Sequence, residues 1–302
     1  MNGMKKCVIV VNAYSRLQSS LNQSQRLRQE FADMGVQADI YPADALGCAV
    51  EEDGSLSCAL SGYDFCVYLD KDKYAARMLE KLGMRLFNSA RAVEDCDDKM
   101  QTFIRLADMG IPMPKTLPAP LCYDPQMPVK EDILRGVERE LGYPVIIKSA
   151  YGSLGAGVFM ASDVVQLKAA AERLKCSPHL FQRYVAESCG RDVRVIVVGG
   201  RVVAAMERRS RGDFRSNIEL GGVGRPFTPD EALAKLCVRA ADGLGLDYCG
   251  ADVLFGREGY LLCEVNSNAF FGGIERVTGI NVAREYALYM YKTIYGGMPD
   301  AV

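Results

Sequence analysis

The stretch Gly250–Asn268 reads GADVLFGREGYLLCEVNSN, two apolar runs flanking a short turn bounded by glycines. Runs of this length with a glycine-rich joint predict a β-hairpin with strands over Ala251–Phe255 and Tyr260–Asn266. Successive side chains on a strand point to opposite faces, so Glu264 and Asn266 share one face. A three-residue loop, 257–259, with Gly259 in the left-handed conformation is a standard hairpin joint. That register sets Asp252 opposite Glu264 and draws three oxygen-bearing side chains together. Two carboxylates and an amide oxygen suit a hard cation such as Mg²⁺, whose remaining positions go to water and phosphate. The competing reading is an edge hairpin with solvated acids. Three polar groups inside apolar strands weigh against it.

Upstream, residues 145–158 read VIIKSAYGSLGAGV. Lys148 ends a predicted strand, and Gly152, Gly155 and Gly157 punctuate the turn after it. Glycines let backbone N–H groups approach phosphate, and a lysine adds a point charge. No G-K-[ST] follows, so this is not a Walker A loop, and plain glycine turns of this kind are common. Asp98-Lys99 opens a predicted helix running to about Asp108. A lysine there opposes the helix dipole unless an anion sits nearby; a solvated charge is the plain alternative. The segment ERRSRGDFRSN, 207–217, holds four arginines within 208–216 that could clamp carboxylate or phosphate in bidentate fashion. An RNA-binding patch is the rival reading. The lack of stacking aromatics beyond Phe214 counts against it.

The rest of the chain supplies the frame. Lys5–Asn12 reads as a buried strand, 19–34 as a helix closed by Gly35, and Gln37–Tyr41 and Asp64–Leu69 as further strands. Tyr74–Leu82 reads as a helix and Arg85–Asn88 as a short strand, an alternation that argues a parallel α/β sheet. The turn after the first strand is N-A-Y-S, without the glycines of a dinucleotide fingerprint, so NAD binding is not supported. Six of the twelve prolines lie between Ile111 and Pro128, an extended connector. Helices over 132–141 and 163–174 alternate with strands Tyr143–Ser149 and Leu180–Val185. A β-rich portion runs from Asp192 to Met206, and helices are expected over 230–245 and 281–294.

At 302 residues, with 49% apolar and 25% charged, the chain is of ordinary globular make-up and about two domains long. The single histidine, His179, excludes HExxH sites and any mechanism that needs two imidazoles. A net charge of -2 argues against a dedicated nucleic-acid binder. Eleven cysteines, an odd number without a C-x-x-C pair, fit reduced thiols in the cytoplasm better than a disulfide framework. Those in apolar segments (Cys7, Cys66, Cys263) read as small buried hydrophobes. No apolar run approaches a membrane span.

Taken together, DDK (97–99), PVIIK (144–148), QRYV (182–185), GRDVR (190–194), the 207–217 segment, GADVL (250–254), EVNSN (264–268) and IERVTGIN (274–281) resemble the ATP-grasp superfamily. The likeness is closest to its RimK-type branch of carboxylate–amine ligases and covers roughly residues 85–295. It implies an α/β ATP-grasp fold: a Rossmann-like lobe over 1–93, a central lobe over 94–182 and a C-terminal lobe over 183–302. ATP would lie between the last two. The resemblance further implies that Lys99 and Lys148 contact ATP phosphates, with Gly152, Ser153, Gly155 and Gly157 in a lid over them. Gln182, Arg183 and Tyr184 would hold adenine and Asp192 the ribose, while Asp252, Glu264 and Asn266 would bind Mg²⁺ or Mn²⁺. Arg215 and Asn217 would face the transferred phosphoryl, and Arg208 or Arg209 the amino-acid carboxylate.

Two departures stand out. The family's hinge usually reads Q-E-Y or Q-E-F, where this chain has Arg183. The loop after the metal asparagine often reads S-P-G-x-x-G, where this chain has Ser267-Asn268-Ala269-Phe270-Phe271-Gly272, so glutamate specificity is not carried over. The implied activity is phosphorylation of a substrate carboxylate by ATP and attack by an amine to form an amide, in a cytoplasmic enzyme whose oligomeric state stays open. The alternative is an ATP-binding regulatory module of the same fold without turnover.

Overall fold

The computed structural model describes residues 4–152, 155, 157–210, 212–216 and 221–299. The first segment runs β1 (Lys6–Val11), α1 (Gln18–Ala32), β2 (Gln37–Pro42), a small ribbon of β3 (Ala49–Val50) and β4 (Leu56–Ser57), β5 (Phe65–Leu69), α2 (Lys73–Lys81) and β6 (Leu86–Phe87). Its main sheet has the order β2-β1-β5-β6 and is parallel throughout. The reason is in the composition: FCVYL in β5 is buried along its whole length, as a strand covered on both faces must be. The ribbon between β2 and β5 has no counterpart in the sequence reading.

Two short helices follow, α3 (Ala90–Asp97) and α4 (Lys99–Leu106). Asp98 separates them and caps α4, accepting from the N–H groups of Met100 and Gln101. The second sheet is antiparallel in the order β7-β10-β8-β9, with β7 (Thr116–Pro118), β8 (Val145–Ser149), β9 (Val158–Ala161) and β10 (His179–Arg183). Helices α5 (Glu131–Leu141) and α6 (Val164–Leu174) pack on it. The proline-rich connector thus contributes a strand of its own.

The third sheet is also antiparallel, β13-β12-β11-β14-β15, from β11 (Arg191–Val198), β12 (Arg201–Arg209), β13 (Val223–Pro226), β14 (Tyr248–Gly256) and β15 (Gly259–Asn266). Helix α7 (Glu231–Leu244) packs on it, and α8 (Gly272–Thr278) and α9 (Val282–Tyr295) close the chain. Cys7, Ile9 and Phe31 of the first segment share one buried cluster with Phe271, Tyr286 and Met290 of the last. Each such side chain contributes roughly 1.5–3 kcal/mol by leaving water. Asn88 stitches the same seam: Nδ2 donates to the carbonyls of Tyr248 and Ser267, and Oδ1 accepts from the N–H groups of Asp247 and Tyr248. Among the described residues no helix is long and apolar enough to cross a membrane.

The β14–β15 hairpin pairs Asp252 with Glu264, as expected, but for a different reason. Its turn is two residues long, Arg257-Glu258, between paired Gly256 and Gly259, with Gly259 at φ 131. The one-residue offset arises instead at a bulge, because Val253 pairs with Leu262 and leaves Cys263 unpaired. A bulge of this kind re-aims side chains on the bulged strand.

Candidate functional site

One cleft gathers residues from the second and third sheets. Lys148 from β8, Gln182 from β10, Asp192 from β11, Arg208 from β12, Asp252 from β14 and Glu264 from β15 all line it. Lys99, Gly152, Gly155, Gly157, Arg183, Tyr184 and Arg215 line it too. Of the residues singled out from sequence, Ser153 and Asn217 lie outside the described residues.

Lys99 reaches the cleft because Asp98 starts α4 directly beneath the glycine turn. Its backbone N–H donates to the Ala150 carbonyl at 3.0 Å, and its Nζ to the Gly152 carbonyl at 2.8 Å. Glu264 Oε1 lies 3.7 Å from the same Nζ. Lys148 is 7% exposed, and its Nζ has one hydrogen-bond partner among the described residues, the Cys263 thiol at 3.4 Å. A cationic side chain buried without a carboxylate partner costs free energy unless a ligand supplies the charge. The bulge gives Cys263 this position: it lines the cleft, whereas Cys7 and Cys66 sit in the core. All eleven cysteines are free thiols.

Part of the cleft lining is a largely buried charge network. Arg208 donates through Nε and Nη2 to the two oxygens of Asp192 at 2.8 and 2.5 Å. Its Nη2 also lies 3.0 Å from Asp252. Arg194 grips Asp252 with Nε and Nη2, each at 2.6 Å. Burial alone would raise the Asp252 carboxyl, but the two guanidinium groups outweigh it and hold the group down to about 2.

Asn266 is the third of the expected cation ligands. Its Nδ2 is buried with no hydrogen-bond partner among the described residues, so this amide donor has room for a further acceptor. No cluster of three His, Cys, Asp or Glu among the described residues could hold a metal. Asp252, Glu264 and the Asn266 carbonyl oxygen are oxygen donors of the kind a hard cation takes together with water and phosphate, although Asp252 is also engaged by Arg194 and Arg208.

At the mouth, Arg215 Nη1 donates to the Gly155 carbonyl at 2.8 Å, while Nε and Nη2 engage Asp213. The arginine-rich segment is thereby tied to the glycine turn. Gln182 is held by the Thr116 hydroxyl at 2.9 Å, and the Arg183 N–H donates to the Lys115 carbonyl. That N–H belongs to the sheet and is not free for a base.

A second cavity adjoins the first and shares Lys99, Gly152 and Glu264 with it. Asn266, Arg194, Asn268 and Phe270 line one wall, and Asn12, Arg16, Asp70 and Lys71 of the first segment the other. Of the two arginines expected at the amino-acid carboxylate, Arg208 lines the first cavity and pairs with Asp192 and Asp252, whereas Arg209 pairs with Glu207 at 2.9 Å and lines neither cavity. The second cavity has two arginines, Arg16 and Arg194; Arg194 lies inside the quoted GRDVR stretch but was given no role there. Its signal was available: β11 alternation puts Asp192 and Arg194 on one face.

Residues 96–290 match the RimK-like ATP-grasp domain. The chain belongs to that family. It is 40% identical over 220 residues to Beta-citrylglutamate synthase B of Danio rerio, covering 72% of this chain and 53% of that protein. It is 37% identical over 228 residues to N-acetylaspartylglutamate synthase A of Homo sapiens, covering 74% of this chain and 56% of that one. The chain thus spans about half the length of these curated relatives. The crystal structure of a RimK domain protein from Sphaerobacter thermophilus superposes with a TM-score of 0.69 at 20% identity, over 93% of this chain and 98% of that one. The ATP-grasp fold expected from the motifs is therefore the fold of this family member.

Proposed function

We propose that this chain is an ATP-dependent carboxylate–amine ligase that forms an amide bond and releases ADP. The observation that carries the reading is the convergence of Lys99, Lys148, Arg215, Asp252 and Glu264 on one cleft that adjoins a second cavity. The synthase relatives support it. The units are 1–93, 94–182 and 183–302, with the nucleotide between the last two.

Lys148 and Lys99 neutralise the phosphates of ATP. Gly152, Ser153, Gly155 and Gly157 bring backbone N–H groups to them, and Arg215 and Asn217 close over the transferred phosphoryl. Gln182, Arg183 and Tyr184 border the base, and Asp192 the ribose. Asp252, Glu264 and Asn266 would hold Mg²⁺ or Mn²⁺, which would supply neutralisation of phosphate charge when bound. The substrate carboxylate attacks the terminal phosphorus in line, giving an acyl phosphate and ADP. The amine then attacks the acyl carbon, expelling inorganic phosphate, and its proton is lost to solvent. Closure of the glycine turn through Arg215 keeps water from the acyl phosphate.

Glu264→Gln tests the reading against a binding module of the same fold. A ligase loses carboxylate-dependent ADP release in this variant and still binds nucleotide. Wild-type protein that binds ATP with Mg²⁺ yet releases no ADP with any carboxylate and amine contradicts it.

A further inference from the structure

In the first sheet, order β2-β1-β5-β6, the chain leaves β1 toward β2 on one side and β5 toward β6 on the other. Connections therefore diverge between β1 and β5. In parallel α/β sheets the crevice outside the carboxyl ends of such strands is where ligands bind. The residues that directly follow β1 and β5 are Asn12 and Asp70, and both line the second cavity. Neither lies within residues 96–290 that match the family.

Asp70 is 6% exposed, yet no lysine, arginine or histidine among the described residues pairs with it. Its neighbour Lys71 turns instead to Asp97, at 2.6 Å. Both of its hydrogen bonds fall on one oxygen: Asn12 Nδ2 donates to Oδ1 at 3.0 Å and the Lys71 N–H at 2.7 Å. Asn12 is itself fixed, because its Oδ1 accepts from the Tyr14 N–H at 3.0 Å. That bond orients the amide so that Nδ2 faces Asp70. The other oxygen, Oδ2, has no hydrogen-bond partner among the described residues and is not shut off from the cavity. A carboxylate so nearly buried without a cation is costly unless a ligand brings one.

We infer that Asp70 is a specificity determinant for a substrate bearing a protonated amine, whose N–H donates to Oδ2, and that Asn12 is its positioning residue. The inference rests on the ligase reading only for the name of the cavity. The same cavity is lined by Arg16, Lys99 and Arg194 for a carboxylate and by Asp70 for an ammonium, with Lys71 turned to Asp97 and Glu264 3.7 Å from Lys99, so a molecule carrying both groups, an amino acid, finds a partner for each.

The test measures binding to intact protein saturated with ADP and Mg²⁺, by calorimetry, for matched pairs: L-glutamate against glutarate, L-aspartate against succinate, L-alanine against propionate. At least one amino-bearing member is expected to bind about tenfold or more tightly than its partner, since hydrogen bonds between charged groups are of that strength. Asp70→Asn, which can keep the Asn12 bond but turns its own N–H₂ toward the cavity, removes the preference and leaves ADP affinity unchanged. Asn12→Ala, which keeps the charge but frees the carboxylate, reduces the preference. The inference is overturned if no pair shows a preference, or if Asp70→Asn retains it. Turnover plays no part in this readout, so a preference without ADP release sinks the ligase reading alone.

Discussion

Arg194 stands directly across from Asp252 in the β11–β14 ladder and holds both of its carboxylate oxygens, each at 2.6 Å. Arg208 adds a third contact, so a carboxylate expected to serve a cation is already wrapped by two guanidinium groups. A metal at Asp252 must share these oxygens or displace Arg194. Replacing Arg194 by methionine leaves one arginine for two buried carboxylates. Breaking such a pair costs about 3 kcal/mol or more. Urea unfolding without nucleotide should show that loss, and Mg²⁺ should restore more stability to the variant than it adds to wild type. Equal Mg²⁺ effects on both would detach Arg194 from the cation site.

Lys148 separates the needs of binding from those of folding. Its one partner among the described residues is a thiol, so Lys148→Met should change the stability of the nucleotide-free protein by no more than about 1 kcal/mol. Charge-assisted contacts to phosphate are lost, and ADP affinity should fall about tenfold or more. Calorimetric titration with ADP and Mg²⁺, beside a melt of the free variant, reads both.

Asn88 satisfies four backbone groups that belong to the far end of the chain. At 2% exposure, water cannot replace it. Asn88→Ala orphans all four, and a loss of about 3 kcal/mol or more in urea unfolding is expected. A loss below 1 kcal/mol would mean that the seam does not depend on this side chain.

How much was legible in the sequence follows from which interactions are local. Asp252 and Glu264 could be paired from the hairpin register expected of two apolar runs across a short turn. The bulge at Cys263 could not be foreseen, because a two-residue turn plus a bulge and a three-residue loop give the same pairing at Asp252. Asn88 carried no signal: its partners lie some 160 residues away and are main-chain groups. The partners of the arginines were hidden for a related reason. Counting four of them in 207–217 shows charge, but only the sheet reveals that Arg208 pairs with Asp192 and Asp252 and that Arg194, itself on Asp252, borders the second cavity. Asp70 was passed over because a single acid after a buried strand is ordinary until its partners are known.

His179 is the only imidazole, which makes its titration unambiguous. It is 5% exposed, its Nδ1 lies 2.9 Å from the Ser177 carbonyl, and it lines neither cavity. Burial pushes its pKa below the ordinary value of 6.5, and the Ser177 contact only partly offsets this. The folded state therefore resists a proton that the unfolded chain accepts. Stability is full above about pH 6.5 and falls as the pH drops from there toward the lower folded-state pKa. Replacing His179 by phenylalanine should flatten stability between pH 5 and 7. Proton NMR of the ring in wild type should give a midpoint under 6.5; a midpoint above it would reverse the sign.

The central claim is that a carboxylate is activated by phosphorylation. It is tested most directly by ¹⁸O transfer, with intact protein, ATP, Mg²⁺, an amine and a turnover-supporting substrate labelled in both carboxylate oxygens. The account predicts ADP and amide in equal amounts and one ¹⁸O atom in each inorganic phosphate released. Formation of AMP and pyrophosphate, or phosphate free of label while amide accumulates, would contradict it.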